Sequence, residues 1–442
     1  MSPRLKRLAR LRQISLRDLL LVALPSLLLL VAGFWAAAQF IRPAPPRQIT
    51  LSSGSDGGAY QRFALRYKDV LARYGIDLIE KPSAGAVENL QRLRQESVDA
   101  GFLQGGVASV DEGDKLRSLG SLYHEPLWIF YRSELAHAGE LDRIGQLRGR
   151  RIAIGSPASG THKLARDLLE ANGMAAAPTR LLELGGAAAV DALKRGGIDA
   201  AFVVGPLQSG TVWTLLYSED VRLMSLSQAE AYTRRFPFLA RLVLPRGAVD
   251  LVHNVPARDV TLVAPVATLL VREDTHPALV DLLLQAASEV HGGPGLFNRP
   301  GEFPNATQVD FPLSPEAARY YKSGTPLLQR YLPFWLATLV DRLMVMLVPV
   351  LALLLPIVRF APTLYGWRVR QRIFRRYGEL KFLEAEVQED PRRASREEWL
   401  ARLARIEAAV NNMPTPLAFT DMYYTLRGHI GLVRETILAR TA

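Results

Sequence analysis

The chain has 442 residues, a net charge of +11 at pH 7 and no cysteine. The lack of cysteine excludes disulfide bonds, cysteine-ligated zinc and thiol nucleophiles. The length exceeds one typical domain, and the mean hydropathy of +0.06 is high for a soluble protein, so we expect two lobes and membrane segments. Because the basic residues concentrate beside apolar runs, the charge favours a membrane over nucleic acid as the partner.

The first apolar run, residues 19–41, has 23 residues without a charge. As a helix it would measure roughly 34 Å, enough to cross a hydrocarbon core of about 30 Å. Six basic residues lie within residues 1–18, which predicts a cytoplasmic N-terminus. The alternative is a signal peptide cleaved after Ala38. The run exceeds the usual apolar region of about 7 to 15 residues, so we expect an uncleaved anchor, followed by a proline-rich linker at 42–47.

Two stretches share one design, namely a strand-like run, a glycine-rich turn and a helix. They are LSSGSDGGAYQRFA at 51–64 and RIAIGSPASGTHKLARDLLEANG at 151–173. Such a turn leaves backbone N–H groups unpaired at the N-terminus of a helix, where the helix dipole also favours negative charge. Each turn is therefore predicted to hold an anion or the polar head of a ligand.

The similarity between the two stretches continues beyond the turns. Residues 86–105 and 189–205 each read as an amphipathic helix, then Asp-Ala and a short apolar run. This two-copy repeat predicts two α/β lobes with a ligand cleft between them, because ligands of open α/β sheets sit outside the carboxyl ends of the strands. The alternation of strands and helices predicts mostly parallel sheets.

The two lobes are predicted to divide the chain between 48 and 325. Residues 121–132 read as a turn entering a strand that crosses towards the second lobe, and the polar stretch that follows sets the boundary. Lobe two then covers 141–258. Lobe one consists of 48–140 and 259–325, the latter segment returning through apolar strand material and a helix.

A second apolar run, residues 343–358, has 16 uncharged residues and two prolines. Alone it would span about 24 Å, so the predicted transmembrane segment extends over 335–367, with aromatic residues at both ends. Basic residues follow from Arg368 onwards. They predict that both termini are cytoplasmic and that the binding domain lies on the outer face of the inner membrane. The alternative is a buried core helix.

The tail, residues 368–442, is predicted to form a cytoplasmic helical hairpin. Ser395 and Glu398 have the spacing of a capping box before an apolar stripe, and residues 413–416 break the chain before a second helix. The hairpin would dimerise or dock on a partner, or its two helices would only cover each other.

The chain carries no recognisable catalytic constellation. Residues 155–163 resemble a phosphate-binding loop, but Thr161 and His162 follow Gly160 where that motif needs Lys and then Ser or Thr. The seven histidines include no pair at an i, i+4 metal spacing, and no G-x-S-x-G elbow occurs. We therefore predict a binding protein without enzymatic activity, cofactor or metal.

Candidate ligand groups come from both turns and from the end of one strand. Serine and threonine at a helix start commonly act as caps, and glycine permits tight backbone geometry, so these alternatives stand beside ligand binding. The candidates are Ser53, Asp56, Gly57, Gly58 and Tyr60 in the first turn, Gln104 after an apolar strand, and Ser156, Ser159, Gly160 and Thr161 in the second turn. Asp56 suits capping of its helix equally well.

Residues 48–325 resemble the TAXI family of solute receptors that serve TRAP transporters. The resemblance rests on ordered motifs, namely GSDGGAYQRFA at 54–64, PSAGAVENLQRL at 82–93, VDAGFLQGGVA at 98–108, LYHEPLWIFYR at 122–132, LRGRRIAIGSPASGTHKLARDLLEANG at 147–173, ALKRGGIDAAFVV at 192–204 and LSPEAARYYKSG at 313–324. It implies a two-lobed, periplasmic-binding-protein-like α/β domain of type II, here flanked by two transmembrane helices. It also implies a non-catalytic receptor that captures a small solute, often a carboxylate such as an amino or keto acid, for an ion-gradient-driven permease.

Carried over by position, the resemblance implies a set of ligand contacts. They are Gly58, Tyr60, Ser83, Gly85, Gln104, residues 159–161 and Gly205. Two departures stand out. Ala59 occupies a position where the family often has threonine, and Gly105 and Gly106 follow Gln104 where a Ser-Asp pair is common. Both departures remove polar atoms from the predicted cleft.

The sequence thus favours a membrane-tethered extracytoplasmic receptor that captures an anionic or amino-acid-like solute. Its partners would be the solute, TRAP permease subunits and the lipid bilayer, with no role for nucleic acid. The alternative is a ligand sensor or scaffold that signals through its cytoplasmic tail.

Overall fold

The computed structural model describes residues 24, 26–29, 31–35, 44–108, 115–136 and 139–441. These form two compact units, one within Ala44–Thr338 and a second that contains the described residues of Met1–Pro43 and Leu339–Ala442. The basic N-terminus, much of the predicted span at 19–41 and the possible cleavage point at Ala38 lie outside the described residues. Within that span the structure describes a short apolar helix, Ser26–Trp35.

The first sheet of the larger unit defines lobe one. Its five strands are ordered β2-β1-β3-β12-β4, with bounds β1 Gln48–Ser52, β2 Asp77–Lys81, β3 Ala100–Gln104, β4 Leu116–His124 and β12 Val266–Arg272. Strands β1, β2 and β3 pair in parallel, and β12 pairs antiparallel with both β3 and β4.

The second sheet defines lobe two. Its path is β10-β11-β5-β8-β6-β7, with β9 paired to β5. The bounds are β5 Leu127–Arg132, β6 Arg151–Ala153, β7 Arg180–Leu182, β8 Ala200–Val204, β9 Val221–Leu223, β10 Ala240–Leu244 and β11 Val260–Ala264. The parallel group β7-β6-β8 has the same order as β2-β1-β3 in lobe one, so the repeat read from the sequence is also a repeat of topology.

Helices cover both sheets. They are α1 Ala59–Ala72, α2 Ala86–Arg94, α3 Gly160–Ala171, α4 Gly186–Lys194, α5 Gly210–Leu216, α6 Ala229–Arg235, α7 Pro277–His291, α8 Pro315–Ser323 and α9 Leu327–Tyr331. Helix α1 buries Tyr60, Ala64, Tyr67 and Leu71, a spacing that keeps one apolar face against the sheet. The prediction of a two-lobed, periplasmic-binding-protein-like α/β fold is confirmed.

Strand β5 shows why lobe two is covered on both faces. Its residues Leu127, Ile129 and Tyr131 join one apolar cluster, whereas Trp128 and Phe130 join another. Because successive side chains of a strand point to opposite faces, the unbroken run LWIFY serves two cores at once.

The chain passes between the lobes at two prolines. Strands β4 and β5 belong to different sheets and meet at Glu125 and Pro126, and β11 and β12 do so at Pro265. The lobe boundaries drawn from the sequence, at 140 and 258, therefore fall inside lobe two. Proline lacks an N–H and ends a strand ladder, so a run that reads as continuous apolar strand divides between two sheets.

The other compact unit contains a helical bundle in the tail. A long helix α10, Phe334–Glu389, is followed by α11 Arg396–Asn411 and α12 Thr420–Arg440. Their buried side chains form one core: Val369, Ile373, Leu380, Leu383, Val387, Trp399, Leu403, Val410, Leu426, Ile430, Val433 and Ile437. The predicted hairpin of α11 and α12 thus gains the C-terminal part of α10 as a third helix.

Helix α10 does not stop at the predicted boundary between span and tail. It continues through Pro349, Pro356 and residue 368. A proline removes a single backbone hydrogen bond, and apolar segments tolerate it where neighbouring groups compensate. Among the described residues one helical segment, Val350–Glu389, is long and apolar enough to cross a membrane by length and composition.

A capping box begins α11 as predicted. The Glu398 backbone N–H donates to Ser395 Oγ at 3.2 Å, and the Ser395 N–H donates to Glu398 Oε2 at 3.0 Å. The two donors are satisfied reciprocally, which fixes where the helix starts.

Candidate ligand-binding cleft

A cavity of about 720 Å³ lies between the two lobes. Lobe one contributes residues 55–59 and Ala84. Lobe two contributes the rest: Gly155, Ser156, Ser159, Thr161, Gly185, Gly186, Ala187, Ala189, Val190, Asp191, residues 202–206, Ser209, Gly210, Thr211 and Thr214. The cavity has the size of an ordinary small-molecule site, about 300 to 1,000 Å³.

Four helices begin at this cavity. One is the seven-residue α5, whose first residue Gly210 lines it, and the other three are longer, one from lobe one and two from lobe two. They are α1, α3 and α4, whose first turns contain no acidic residue. Helices α1 and α4 are preceded by Gly58 and Gly185, and within the described residues neither has a side-chain cap. Their first N–H groups and the positive ends of three helix dipoles are therefore directed to one space that suits an anion.

Helix α3 is capped differently. Ser159 Oγ accepts from the His162 N–H at 3.2 Å and donates to the Ser156 carbonyl at 2.6 Å. Ser159 thus lines the cavity and caps its helix at once, so the two interpretations of this serine are compatible.

The charged lining of the cavity is acidic. Among the described residues that line it none is Lys, Arg or His, whereas Asp56 and Asp191 are present. Asp56 Oδ1 accepts from Gln61 Nε2 at 3.0 Å, so its carboxylate is held near the start of α1. The cavity therefore offers N–H and hydroxyl donors to an anionic group and carboxylates to a cationic one.

Seven of the thirteen predicted site residues line the cavity, and six do not. The seven are Asp56, Gly57, Gly58, Ser156, Ser159, Thr161 and Gly205. The remaining six, Ser53, Tyr60, Ser83, Gly85, Gln104 and Gly160, do not line it.

Gln104 and Gly160 join the lobes at the edge of the cavity. The buried Gln104 side chain donates from Nε2 to the Gly160 carbonyl oxygen at 3.0 Å. A Cβ on Gly160 would lie 2.7 Å from Gln104 Cδ, and a Cβ on Gly85 would lie 3.2 Å from Ser159 Cα. These glycines permit the close approach of the two loops. In this arrangement the Gln104 amide makes its hydrogen bond to the other lobe.

Asn89 organises the loops on the lobe-one side, a role that the sequence did not indicate. Its Oδ1 accepts from Ser52 Oγ at 2.7 Å and from Ser83 Oγ at 2.6 Å. Its Nδ2 donates to the carbonyls of Ser53 at 2.7 Å and Phe102 at 2.8 Å. One fully buried amide thus ties together the ends of β1, β2 and β3.

Glu125 is a buried acid at the crossing between lobes. The hydroxyl groups of Tyr60 and Tyr123 donate to its Oε2 and Oε1 at 3.0 and 3.3 Å. Burial raises the pKa of Glu125 to about 8, although the two tyrosine hydrogen bonds act in the opposite direction. The sequence feature that points to this buried acid is a charged residue that lies inside an apolar run and directly before a proline.

The free energy of unfolding should depend on pH through Glu125. Its folded pKa of about 8 lies above the usual 4.5, so the folded state keeps a proton that the unfolded chain releases between these values. The stabilisation is fully present below about pH 4.5 and is lost as pH rises through 8. Between pH 6 and 8 this group should lower the free energy of unfolding by about 1 kcal/mol per pH unit.

Glu125→Gln removes the titrating proton while keeping the side-chain size. In denaturant unfolding at pH 6, 7 and 8, the free energy of unfolding of the unaltered chain should fall relative to that of Glu125→Gln as pH rises. The comparison is needed because His124 and His291, whose pKa values burial lowers, contribute in the opposite direction and equally in both proteins. Burial raises the pKa of Asp281 to about 6, so this group changes the free energy of unfolding mainly below pH 6. Parallel pH profiles for the two proteins would contradict a neutral Glu125 in the folded state.

The described residues contain no group of three or more His, Cys, Asp or Glu side chains arranged to hold a metal ion.

Several solved structures are similar to the chain over about half its length. One is a protein from Bordetella bronchiseptica RB50, with 19% identity and a TM-score of 0.40 over 55% of this chain and 71% of that chain. Another is the periplasmic aliphatic sulphonate binding protein SsuA from Escherichia coli, with 15% identity and a TM-score of 0.37 over 56% and 73% of the respective chains. A third is the amino acid ABC transporter substrate-binding protein AbpA from Streptococcus pneumoniae, bound to L-arginine, with 13% identity and a TM-score of 0.33 over 55% and 88%.

At these TM-scores the ligands of the three proteins say nothing about the ligand of this chain. The family comparison is more extensive, because the NMT1-like family matches residues 68–323. That stretch runs from within α1 to the end of α8 and includes most of both lobes. It amounts to more than half of the 442 residues. The chain therefore belongs to the NMT1-like family.

Proposed function

We propose that this protein is a membrane-tethered receptor that captures a small carboxylate, most simply an amino acid, and delivers it to a TRAP-type secondary transporter. The observation that carries the proposal is the convergence of three helix N-termini, drawn from both lobes, on one cavity. Because the two lobes each supply part of the anion site, a bound carboxylate would hold them together.

The lining favours a solute with both charges. An anion here meets backbone N–H groups and hydroxyls instead of a guanidinium, while Asp56 and Asp191 offer partners to an ammonium group. A simple dicarboxylate would leave those two carboxylates facing like charge, which is unfavourable at short range. An α-amino acid satisfies both kinds of group.

Tethering is proposed from the two apolar runs and their basic flanks. The first run, 19–41, follows six basic residues, and the segment Val350–Glu389 is followed by a basic and helical tail. The excess of Lys and Arg on both flanks supports an inner-membrane protein with cytoplasmic termini and an extracytoplasmic binding domain. A tether of this kind would raise the effective concentration of the receptor beside its permease.

The assignment to a TRAP-type transporter rests on the ordered motifs shared with the TAXI receptors. In the structure the glycine-rich motifs at 54–64 and 147–173 supply the turns that face each other across the cavity. The absence of threonine at position 59 leaves the backbone N–H as the polar group there.

A second candidate is ligand sensing through the tail, and one observation favours it. The bundle of α10, α11 and α12 has its own buried core and belongs to the other compact unit. A protein that is only anchored in the membrane does not need a separately packed cytoplasmic bundle. Deleting 390–442 separates the candidates, because solute uptake should survive if the protein is a receptor for transport and a cellular response should be lost if it is a sensor.

The experiment for the proposed function is calorimetric titration of the full chain in detergent with the twenty protein amino acids and with 2-oxo acids. At least one amino acid should bind, and its carboxamide, which has the same size without the negative charge, should bind at least tenfold more weakly. A chain that is folded by circular dichroism and binds none of these solutes, or that binds the carboxamide equally well, would contradict the proposal.

A further inference from the structure

A second cavity, of about 550 Å³, lies on the other side of the start of helix α1. Its walls come from α1, from β4, from the end of α7 and the loop after it, and from Pro206, Leu207 and Gln208 of lobe two. It shares only Pro206 with the larger cavity, among the described residues that line the two. It is therefore a separate space and is also formed by both lobes.

Two guanidinium groups make this cavity electropositive. Arg62 and Arg66 lie one turn apart on α1 and both line it. Arg62 NH1 donates to the Gln208 carbonyl at 2.9 Å, whereas Arg66 has no ion-pair partner among the described residues. The acid at the rim, Glu289, is already paired with Arg73 at 2.6 Å. An unsatisfied positive charge thus remains at the cavity.

Two imidazoles on the same cavity have ring nitrogens without partners. His291 is 7% exposed, and its Nε2 has no hydrogen-bond partner among the described residues. His124 Nδ1 is likewise buried and unpartnered. Leaving such buried groups unpaired costs free energy, and native structures usually supply a partner.

Both histidines are neutral in this environment. Burial lowers the pKa of His124, and burial together with the nearby Arg66 charge lowers the pKa of His291 to about 3. Each neutral ring has one N–H donor and one acceptor. They add hydrogen bonding to the site, whereas the positive charge comes from the arginines.

The remaining wall is apolar and rich in rings. Phe63, Tyr123, Leu296 and Phe297 line the cavity. The His291 ring stacks on Tyr123 with centroids 5.4 Å apart and planes at 10°, and it lies 4.5 Å from the Phe63 ring centroid. Such a wall matches a flat apolar body.

We propose that this second cavity is a ligand site for a small organic anion with a ring-bearing apolar body, such as an aromatic monocarboxylate. Its carboxylate would pair with the Arg66 guanidinium, with Arg62 beside it, and the two imidazoles would donate N–H groups to its oxygens. Its ring would pack against Phe63, Tyr123 and Phe297. The site is separate from the one proposed for the solute in the larger cleft.

The test uses phenylacetate and its neutral analogue phenylacetamide, titrated calorimetrically into the full chain in detergent. Phenylacetate should bind in the millimolar range or tighter, and phenylacetamide at least tenfold more weakly. Arg66→Gln should weaken phenylacetate binding at least tenfold. Lys68→Gln removes the same charge from an exposed position of α1 outside both cavities and should bind as the unaltered chain does.

His291→Phe keeps a ring on Tyr123 and removes both ring nitrogens. Provided its thermal unfolding midpoint matches that of the unaltered chain, it should also bind phenylacetate more weakly. If His291→Phe does not fold, the comparison of Arg66→Gln with Lys68→Gln tests the proposal without it. Absence of phenylacetate binding, equal binding of phenylacetamide, or unchanged binding by Arg66→Gln would overturn the proposal.

Discussion

Replacing Asn89 by leucine is expected to destabilise lobe one by about 3 to 5 kcal/mol and to abolish solute binding. Leucine is similar in size to asparagine but has no amide group. It can therefore bind neither the Ser52 and Ser83 hydroxyls nor the Ser53 and Phe102 carbonyls. Each buried polar group left unpaired costs about 1 to 3 kcal/mol, although the hydroxyls can reorient. The turn that faces the cleft would lose its attachment at the same time.

Hydrogen exchange read by mass spectrometry suits this prediction because it reports lobe one separately from the tail bundle. Peptides covering β1, β2 and β3 should exchange at least a hundredfold faster in Asn89→Leu. Gln91→Leu makes the same change at an exposed position of the same helix and should leave exchange unaltered. Equal protection in both variants would show that the Asn89 network does not support the loops.

Gly120→Ala should be nearly as damaging, at about 4 kcal/mol. Gly120 lies in β4 with φ +118°, and an added Cβ would be 2.5 Å from the Asn305 carbonyl oxygen and even closer to the Tyr321 hydroxyl. That backbone conformation costs an alanine about 1 to 3 kcal/mol, and the forced displacement of packed neighbours adds a similar amount. Both neighbours are held in place, since Tyr321 donates to the Leu119 carbonyl at 2.6 Å and the backbones of Asn305 and Ser121 exchange two hydrogen bonds.

Gly139→Ala is the matched control, because Gly139 has φ +111° and no atom of the described residues lies within 4 Å of an added Cβ. Gly139→Ala therefore has the free-energy cost of the positive φ but no steric clash of the added Cβ. In urea unfolding followed by circular dichroism, Gly120→Ala should lose at least 2 kcal/mol more than Gly139→Ala. Equal losses would mean that the close packing of α8 and the Asn305 loop on β4 contributes nothing.

The features that the sequence predicted are local ones. A glycine-rich turn between a strand and a helix consists of consecutive residues, so the turns at 54–58 and 155–160 and their repetition could be predicted from the sequence. The same holds for the capping box at Ser395, where the partner Glu398 is three residues away.

The features that the sequence did not reveal depend on partners distant in the chain. Gln104 pairs with Gly160 and His291 stacks on Tyr123, and no pattern in the sequence links these positions. The crossing at Pro126 was partly predicted, because residues 121–132 read as a turn entering a strand that crosses towards lobe two. The crossing at Pro265 was hidden because the buried strand β11 of lobe two continues into the buried strand β12 of lobe one without a change in apolar character.

The account depends on backbone N–H groups at the start of helix α1 holding an anion, and Ala59→Pro tests this directly. Proline at the first helical position preserves the helix, and the chain itself has proline there in α7 and α8. Gly58, with φ −71° and ψ 168°, already has a conformation that suits the residue before proline. The substitution therefore deletes one N–H donor at the cavity, whereas Ala59→Ser keeps it.

The deciding measurement is the affinity of these two variants, in the full chain, for whichever amino acid binds the unaltered protein. A hydrogen bond to a charged group contributes about 1.5 to 3 kcal/mol, so Ala59→Pro should weaken binding by roughly 10-fold to 100-fold, and Ala59→Ser should bind within about threefold of the unaltered chain. Ala59→Pro binding as tightly as Ala59→Ser would contradict the account, because the solute would then be held without the start of α1.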